Sequence, residues 1–366
     1  MKSENWTRIR AVSVAGVCLA TLFLTYVVWA QETIETVAVN NLDRTYLVHL
    51  PRGYDHEQKY PVVILLHGMN QDTDDMLRLT KFNDLADKDS IIAVYPSALH
   101  GRWNVGVRAP QKQTMRSPMG HGGRHGGFGG GFPGSGGYPS GGQGQGRGDE
   151  QDQTPQPDDI VFLYRMLDQM ATKFSVDAAR IYATGLSEGG FMSMKVGCTM
   201  AERIAAIAPV GAAMPKTMIC LPTRPVPVVM INGTSDPVVP YKGGTEHNLQ
   251  SPVISVADSA KAWAKIDGCA EKPTQTKLPA HEKGGVETKV ETYDGCQQGA
   301  QVVLYSVKGG GNTWPGGEQY EVEKQVGKTS RDLNANETIW SFLVTKKLEV
   351  KSGTDRSGTD SSPNVQ

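Results

Sequence analysis

Three short stretches carry the residue types that acyl transfer needs. Gly185-Leu186-Ser187-Glu188-Gly189 fits the pattern G-x-S-x-G and lies between the apolar run RIYAT and the helix-like run GFMSMKV. A serine on such a strand-to-helix turn is held up at the end of a sheet, and glycines beside it leave room for a tightly folded backbone. The following helix aims its unpaired N–H groups at a developing oxyanion, so the Glu188 amide is one expected donor. The second stretch, LLHGMNQ, ends the apolar run PVVIL, and its His67-Gly68 turn can present a second donor near Met69. His67 itself reads as a residue that shapes the loop rather than as a base. The third, NGTSDPVVP, follows the run VPVVMI and puts Asp236 after the serine, where a carboxylate would orient an imidazole in the order Ser–Asp–His.

Those residues need a frame, and the rest of the chain predicts one. YPVVILLHG, IIAVYPSA, ARIYATGLS, IAAIAPVGA, VPVVMINGTSD and QVVLYSVKG read as buried strands. Between them, DTDDMLRLTKFNDLADKDS, DDIVFLYRMLDQMATKFS, EGGFMSMKVGCTMA, SVADSAKAWAKI and NANETIWSFLVTKK read as helices. Short apolar runs alternating with amphipathic helices predict an α/β fold, a mostly parallel central sheet covered on both faces. ETVAVNNLDRTYLVHLP predicts a leading antiparallel hairpin that turns at Asn41-Leu42-Asp43.

The remaining segments look non-structural. Residues 1–30 join a basic start to an apolar run of 19 residues and a small-residue site at Ala30, the pattern of a signal peptide, so a secreted or periplasmic location is expected. No stable membrane partner is expected unless that segment is retained. About 108–157 is a glycine-dense insertion, read as a disordered surface loop that carries His121 and His125. The hydrolase domain is placed at 31–347, and 348–366 reads as a disordered polar tail. A formal net charge of −1 argues against a nucleic-acid partner, and no dinucleotide or P-loop pattern is present. Cys198, Cys220, Cys269 and Cys296 form an even set that suits two disulfides outside the cytoplasm, with three connectivities open. Their spacing does not suggest a zinc site, and no metal or cofactor is expected.

VVILLHG, PDDIVFLYRMLDQM, VDAARIYATGLSEGG, AAIAPVGA, NGTSDPVVPYKGG and VVLYSVKGGGNTWPGG together resemble the secreted polyhydroxybutyrate depolymerase and feruloyl esterase family of α/β-hydrolases. The resemblance covers about 45–343. It implies an α/β-hydrolase fold and hydrolysis of polyhydroxyalkanoate, feruloyl or acetyl esters, from a polymeric or small ester substrate. It also implies pairing of Cys198 with Cys220 and of Cys269 with Cys296, and its Trp-Asn motif puts Trp103 beside the substrate cleft. Trp103 and Trp314 both stand in Gly-rich loops near the proposed site and are read as cleft walls. The family's third triad member sits in G-G-G-H-T-W-P-G-G, where this chain has Asn312, and Asn232 replaces a second family histidine. An amide has no basic nitrogen, and losing the histidine of such a triad costs about 10⁶ in turnover. No histidine follows His281, so any substitute must come from His247, His281 or the insertion. A binder that holds an ester or glycan without cleaving it is the alternative reading.

Overall fold

The computed structural model describes residues 31–106, 158–280, 285 and 287–349. The expected signal peptide, the glycine-dense insertion at about 108–157 with His121 and His125, His281, and most of the expected tail lie outside the described residues. Ten strands form one sheet, in the order β1-β2-β4-β3-β5-β6-β7-β12-β11-β10. In chain order the strands are β1 (Gln31–Val39), β2 (Leu42–Leu50), β3 (Tyr60–Leu66), β4 (Ile92–Pro96), β5 (Val176–Leu186), β6 (Ala206–Val210) and β7 (Val228–Gly233). A separate two-stranded ladder pairs β8 (Gly244–Thr245) with β9 (Pro252–Val253). Returning to the large sheet, β10 (Thr274–Leu278), β11 (Thr288–Tyr293) and β12 (Val302–Val307) complete it.

The six strands from β4 to β12 run parallel, and antiparallel pairs extend the sheet at both edges. Burial explains the arrangement. Every residue of β3, β4, β6 and β7 is buried, so these strands carry apolar residues on both faces. Two apolar cores follow, one on each side of the sheet. The first packs α3 (Asp159–Lys173), α4 (Glu188–Thr199) and α5 (Val256–Ile266) through residues such as Phe162, Phe191 and Trp263. The second packs α1 (Thr73–Thr80), α2 (Phe82–Asp89) and α7 (Ala335–Leu343) through Leu79, Phe82 and Ile339. A short α6 (Glu323–Val326) lies on neither core face.

Local chemistry moved three of the expected boundaries. The segment read as one helix from Asp72 is two, because Lys81 takes a left-handed φ of 51° between them. The leading hairpin turns at Asn40-Asn41 rather than one residue later, and both asparagines have positive φ, as a tight two-residue hairpin turn requires. The chain after α7 also stays bound to the body: Tyr182 donates to the Lys346 carbonyl, and the Leu348 N–H donates to Ala179. Packing therefore continues one residue past the expected end of the domain at 347. Both disulfides join the sequential pairs, Cys198–Cys220 and Cys269–Cys296.

From β3 the chain builds β4 on one side, then crosses to place β5 on the other. A crevice opens at the carboxyl ends of strands where such a sheet changes direction. The chemistry-bearing stretches end at or near that edge.

Candidate active site

Ser187 sits directly after β5 with φ 55° and ψ −116°, a conformation that a serine adopts only when its surroundings impose it. The surroundings are backbone. Ser187 N–H donates to the Val210 carbonyl at 2.9 Å, and the Phe191 N–H donates to the Ser187 carbonyl at 3.0 Å. A Cβ on Gly189 would lie 2.0 Å from the Leu66 carbonyl oxygen, and one on Gly185 would lie 2.5 Å from that of Gly189. Both glycines of the motif are thus required by the close approach of β3 and the start of α4.

Across the crevice, the turn after β3 leaves one amide available. Gly68 N–H donates to Gln71 Oε1 at 2.8 Å, and Asn70 N–H donates to the Gly101 carbonyl at 2.9 Å. Among the described residues the Met69 N–H has no protein acceptor, and Met69 and Ser187 line the same cleft. The Glu188 amide is the first of α4, where no turn precedes it to accept its proton. These are the two donors expected from the sequence. His67 is fixed as a spacer: Nδ1–H donates to the Gly68 carbonyl at 2.8 Å, and Nε2 accepts the Ala98 N–H at 3.1 Å. Burial pushes its pKa down, which suits a neutral ring.

Asp236 is buried. Its Oδ1 accepts the N–H groups of Val238 and Val239 at 2.8 and 2.7 Å, and Oδ2 accepts Asn312 Nδ2 at 2.8 Å. Burial pushes its carboxyl up to about 7; the three hydrogen bonds oppose the shift and nearby Glu246 adds to it. Asn312 is fully buried and also donates to the Gly211 carbonyl at 3.0 Å. Two acceptors therefore face Nδ2, which fixes the orientation of the amide. Asn312 Oδ1 is left without a partner, so Asn312 does not hydrogen-bond to Ser187 as an amide at this position could. The aspartate is engaged by an amide in place of an imidazole.

The two tryptophans are not cleft walls. Trp103 is 3% exposed, and its indole N–H donates to the His67 carbonyl at 2.9 Å, so it props the oxyanion loop from behind. Trp314 is 1% exposed in the second core, and its indole N–H donates to Asn336 Oδ1 at 2.8 Å. Gly-rich surroundings suggested loop positions open to substrate, but each ring found an apolar pocket and an acceptor for its one polar atom.

The cleft around Ser187 holds about 840 Å³. Much of its wall was not legible in the sequence. Tyr320 and Val322, from the loop before α6, and Lys324, Gln325 and Val326, from α6, come from a segment that bends back over Asn312. Tyr320 donates to the Asn312 carbonyl at 3.0 Å, and the Asn312 N–H donates to the Val326 carbonyl at 2.6 Å. The signal for this contact was the glycine run itself: a Cβ on Gly311 would lie 2.1 Å from the Val326 carbonyl. Glu188 and Glu246 were also not foreseen as buried carboxylates. Glu188 is held by Arg102 Nε at 3.1 Å and by the Trp103 N–H at 3.2 Å. Asn232, the other asparagine at a family histidine position, donates to the Ala212 carbonyl at 2.9 Å. Among the described residues no group of three His, Cys, Asp or Glu side chains is placed to hold a metal ion.

Residues 38–117 match the family described as "Putative esterase". Over 327 residues the chain is 26% identical to Putative esterase NocK of Nocardia uniformis subsp. tsuyamanensis, spanning 86% of this chain and 83% of that protein. The fold is that of the α/β-hydrolases, and the chain is similar in sequence to esterases. It is also 36% identical over 162 residues to feruloyl esterase B of Piromyces equi, a match covering 42% of this chain and 29% of that protein. Among solved structures, the acetyl xylan esterase from Aspergillus awamori superposes with a TM-score of 0.50 over 85% of this chain and 99% of that one, at 13% identity. That likeness is one of fold. Asn312 stands beside Asp236, in the same cleft as Ser187 and Met69.

Proposed function

We propose that the protein hydrolyses carboxylic esters by acyl transfer through Ser187, acting outside the cytoplasm on acyl esters of polysaccharide or polyester chains. The observation that carries the proposal is the left-handed Ser187 turn, which shares a cleft with the free Met69 amide. The serine oxygen would attack the ester carbonyl, and the Met69 and Glu188 amides would hold the oxyanion that forms. Strain at a nucleophile is costly and persists only where the surrounding structure imposes it, and here two glycines and two backbone hydrogen bonds do so. The feruloyl and acetyl xylan esterase relatives support an ester substrate, and the apolar N-terminal run supports export. Two disulfides are in keeping with an oxidising compartment.

One observation favours a second reading. Asn312 is locked to Asp236 and Gly211, so position 312 supplies no base, and a cleft of this kind could bind an ester without turning it over. Reaction with a fluorophosphonate probe and a p-nitrophenyl ester burst, each abolished in Ser187→Ala, are the expected results. Retained ester binding with no Ser187-dependent burst decides for the binder.

A further inference from the structure

Five histidines lie among the described residues, and they differ in what they face. His49 is buried between Glu32 and Asp87, and both ring nitrogens of His67 are bound to backbone. His56 and His100 do not line the Ser187 cleft. His247 does, together with Ser187, Asn312 and Val238. We propose that His247 supplies the basic nitrogen that position 312 lacks, an inference that rests on the ester-hydrolase reading and extends it.

The backbone of His247 is placed, while its side chain is open. The residue sits in the turn between β8 and β9, closed by the pairings Gly244 with Val253 and Thr245 with Pro252. His247 N–H donates to the Val238 carbonyl at 3.0 Å. Val238 N–H in turn donates to Asp236 Oδ1 at 2.8 Å, so the turn is tied to the acid of the site through one residue. The neighbouring Glu246 is 1% exposed, and its carboxylate accepts the N–H groups of Asn248, at 3.0 Å, and Leu249. A buried carboxylate seldom persists without a purpose. This one braces the turn from inside and lies within electrostatic reach of the His247 ring. It can therefore stabilise an imidazolium there, the task that Asp236 performs when a histidine follows the last strand. Asp236, with Asn312 on its Oδ2, is left to hold Val238 and Val239. Other charges at the cleft are Asp75, Arg78, Glu321 and Lys324, two of each sign.

The step balances without another reactant. Neutral His247 takes the Ser187 hydroxyl proton as the oxygen bonds to the ester carbonyl carbon. The bond to the alcohol oxygen breaks, and that oxygen leaves with the proton. Water then adds to the acyl group and gives its proton to His247. The Ser187–acyl bond breaks, Ser187 recovers the proton, and the carboxylic acid is released. Ester and water become acid and alcohol.

The test uses the purified chain, a p-nitrophenyl ester, and the variants His247→Ala, His247→Gln and Ser187→Ala, with and without added imidazole and with background hydrolysis subtracted. A positioned base contributes about 10²–10⁴ in rate, so kcat should fall at least 10²-fold in both His247 variants while KM changes little. Imidazole should restore turnover to His247→Ala, leave Ser187→Ala dead, and leave the wild type unchanged. A merely structural role for His247 would not give that rescue. If His247→Ala keeps wild-type turnover that Ser187→Ala abolishes, or if imidazole accelerates the wild type as much as the variant, His247 is not the base and the hydrolase reading survives. A wild type without Ser187-dependent turnover removes both.

Discussion

Restoring a histidine at position 312 is the perturbation with the most direct physical reading, and His247→Ala is the background in which to make it. Asn312→His adds two heavy atoms to a fully buried side chain that lines the cleft. Nδ1–H can keep the bond to Asp236 now made by Nδ2 at 2.8 Å, and a ring carbon would replace the unpartnered Oδ1. One bond, to the Gly211 carbonyl, is lost, since Nδ1 has a single proton. A net hydrogen bond is worth about 1 kcal/mol, and an unsatisfied buried acceptor costs about 1–3 kcal/mol. The Gly211 carbonyl becomes an unsatisfied acceptor as the unpartnered Oδ1 is removed, so the two changes nearly cancel and the melting temperature should stay within a few degrees. Catalytically, Nε2 would now project toward Ser187 with an oriented partner behind it. Turnover of a p-nitrophenyl ester should rise at least 10²-fold over His247→Ala alone, about 2.7 kcal/mol off the barrier. The rate should climb with pH around the imidazole pKa of ~6.5 as the ring becomes neutral. A folded variant of unchanged melting temperature that gains nothing would show that Asp236 and Ser187 are not in register, and the reasoning would fall.

Asp236 and Asp267 are both pushed up to about 7 by burial, so the fold binds protons more tightly than the unfolded chain between about pH 4 and 7. Stability is then full below the unfolded pKa and declines as pH rises through that window; thermal melts should show a higher midpoint at pH 5 than at pH 8, and Asp267→Asn should flatten the difference. Gly189→Ala should abolish ester hydrolysis or folding, because its Cβ would fall 2.0 Å from the Leu66 oxygen; a variant that melts and turns over like the wild type would contradict the packing of the serine turn. Trp314→Ala should cost about 3–5 kcal/mol, read by denaturant unfolding, as a core truncation does; a change in KM at unchanged stability would return the ring to the cleft. Under non-reducing conditions, peptide mapping should recover Cys198 with Cys220 and Cys269 with Cys296, and crossed pairs would contradict the fold described.

Local pattern was enough for much of this molecule. The alternation of short apolar runs with amphipathic helices determined an α/β sheet, because a strand buried on both faces has to be almost wholly apolar, as β3, β4 and β6 are. Gly185 and Gly189 around Ser187 determined the nucleophile turn, since no side chain fits where β3 approaches. Asp236 and the amides of Met69 and Glu188 were proposed from their places after strands and at a helix start. What the sequence could not determine was which side of each residue faces what. Trp103 and Trp314 stand in glycine-rich loops, yet both are core, because burial depends on which distant elements close over a loop. Lys81 broke a helix whose pattern ran on, through a backbone angle that side-chain type does not reveal. The segment carrying Tyr320 and Val326, the buried carboxylate of Glu246, and the cleft face of His247 are all products of long-range packing. Only the fold brings Asn312 within hydrogen-bond reach of Asp236, and Val238 within reach of the turn that bears His247. Asn312 itself was visible in the chain, but that its amide is locked between Asp236 and Gly211, with its oxygen unpartnered, was settled by contacts 76 and 101 residues apart.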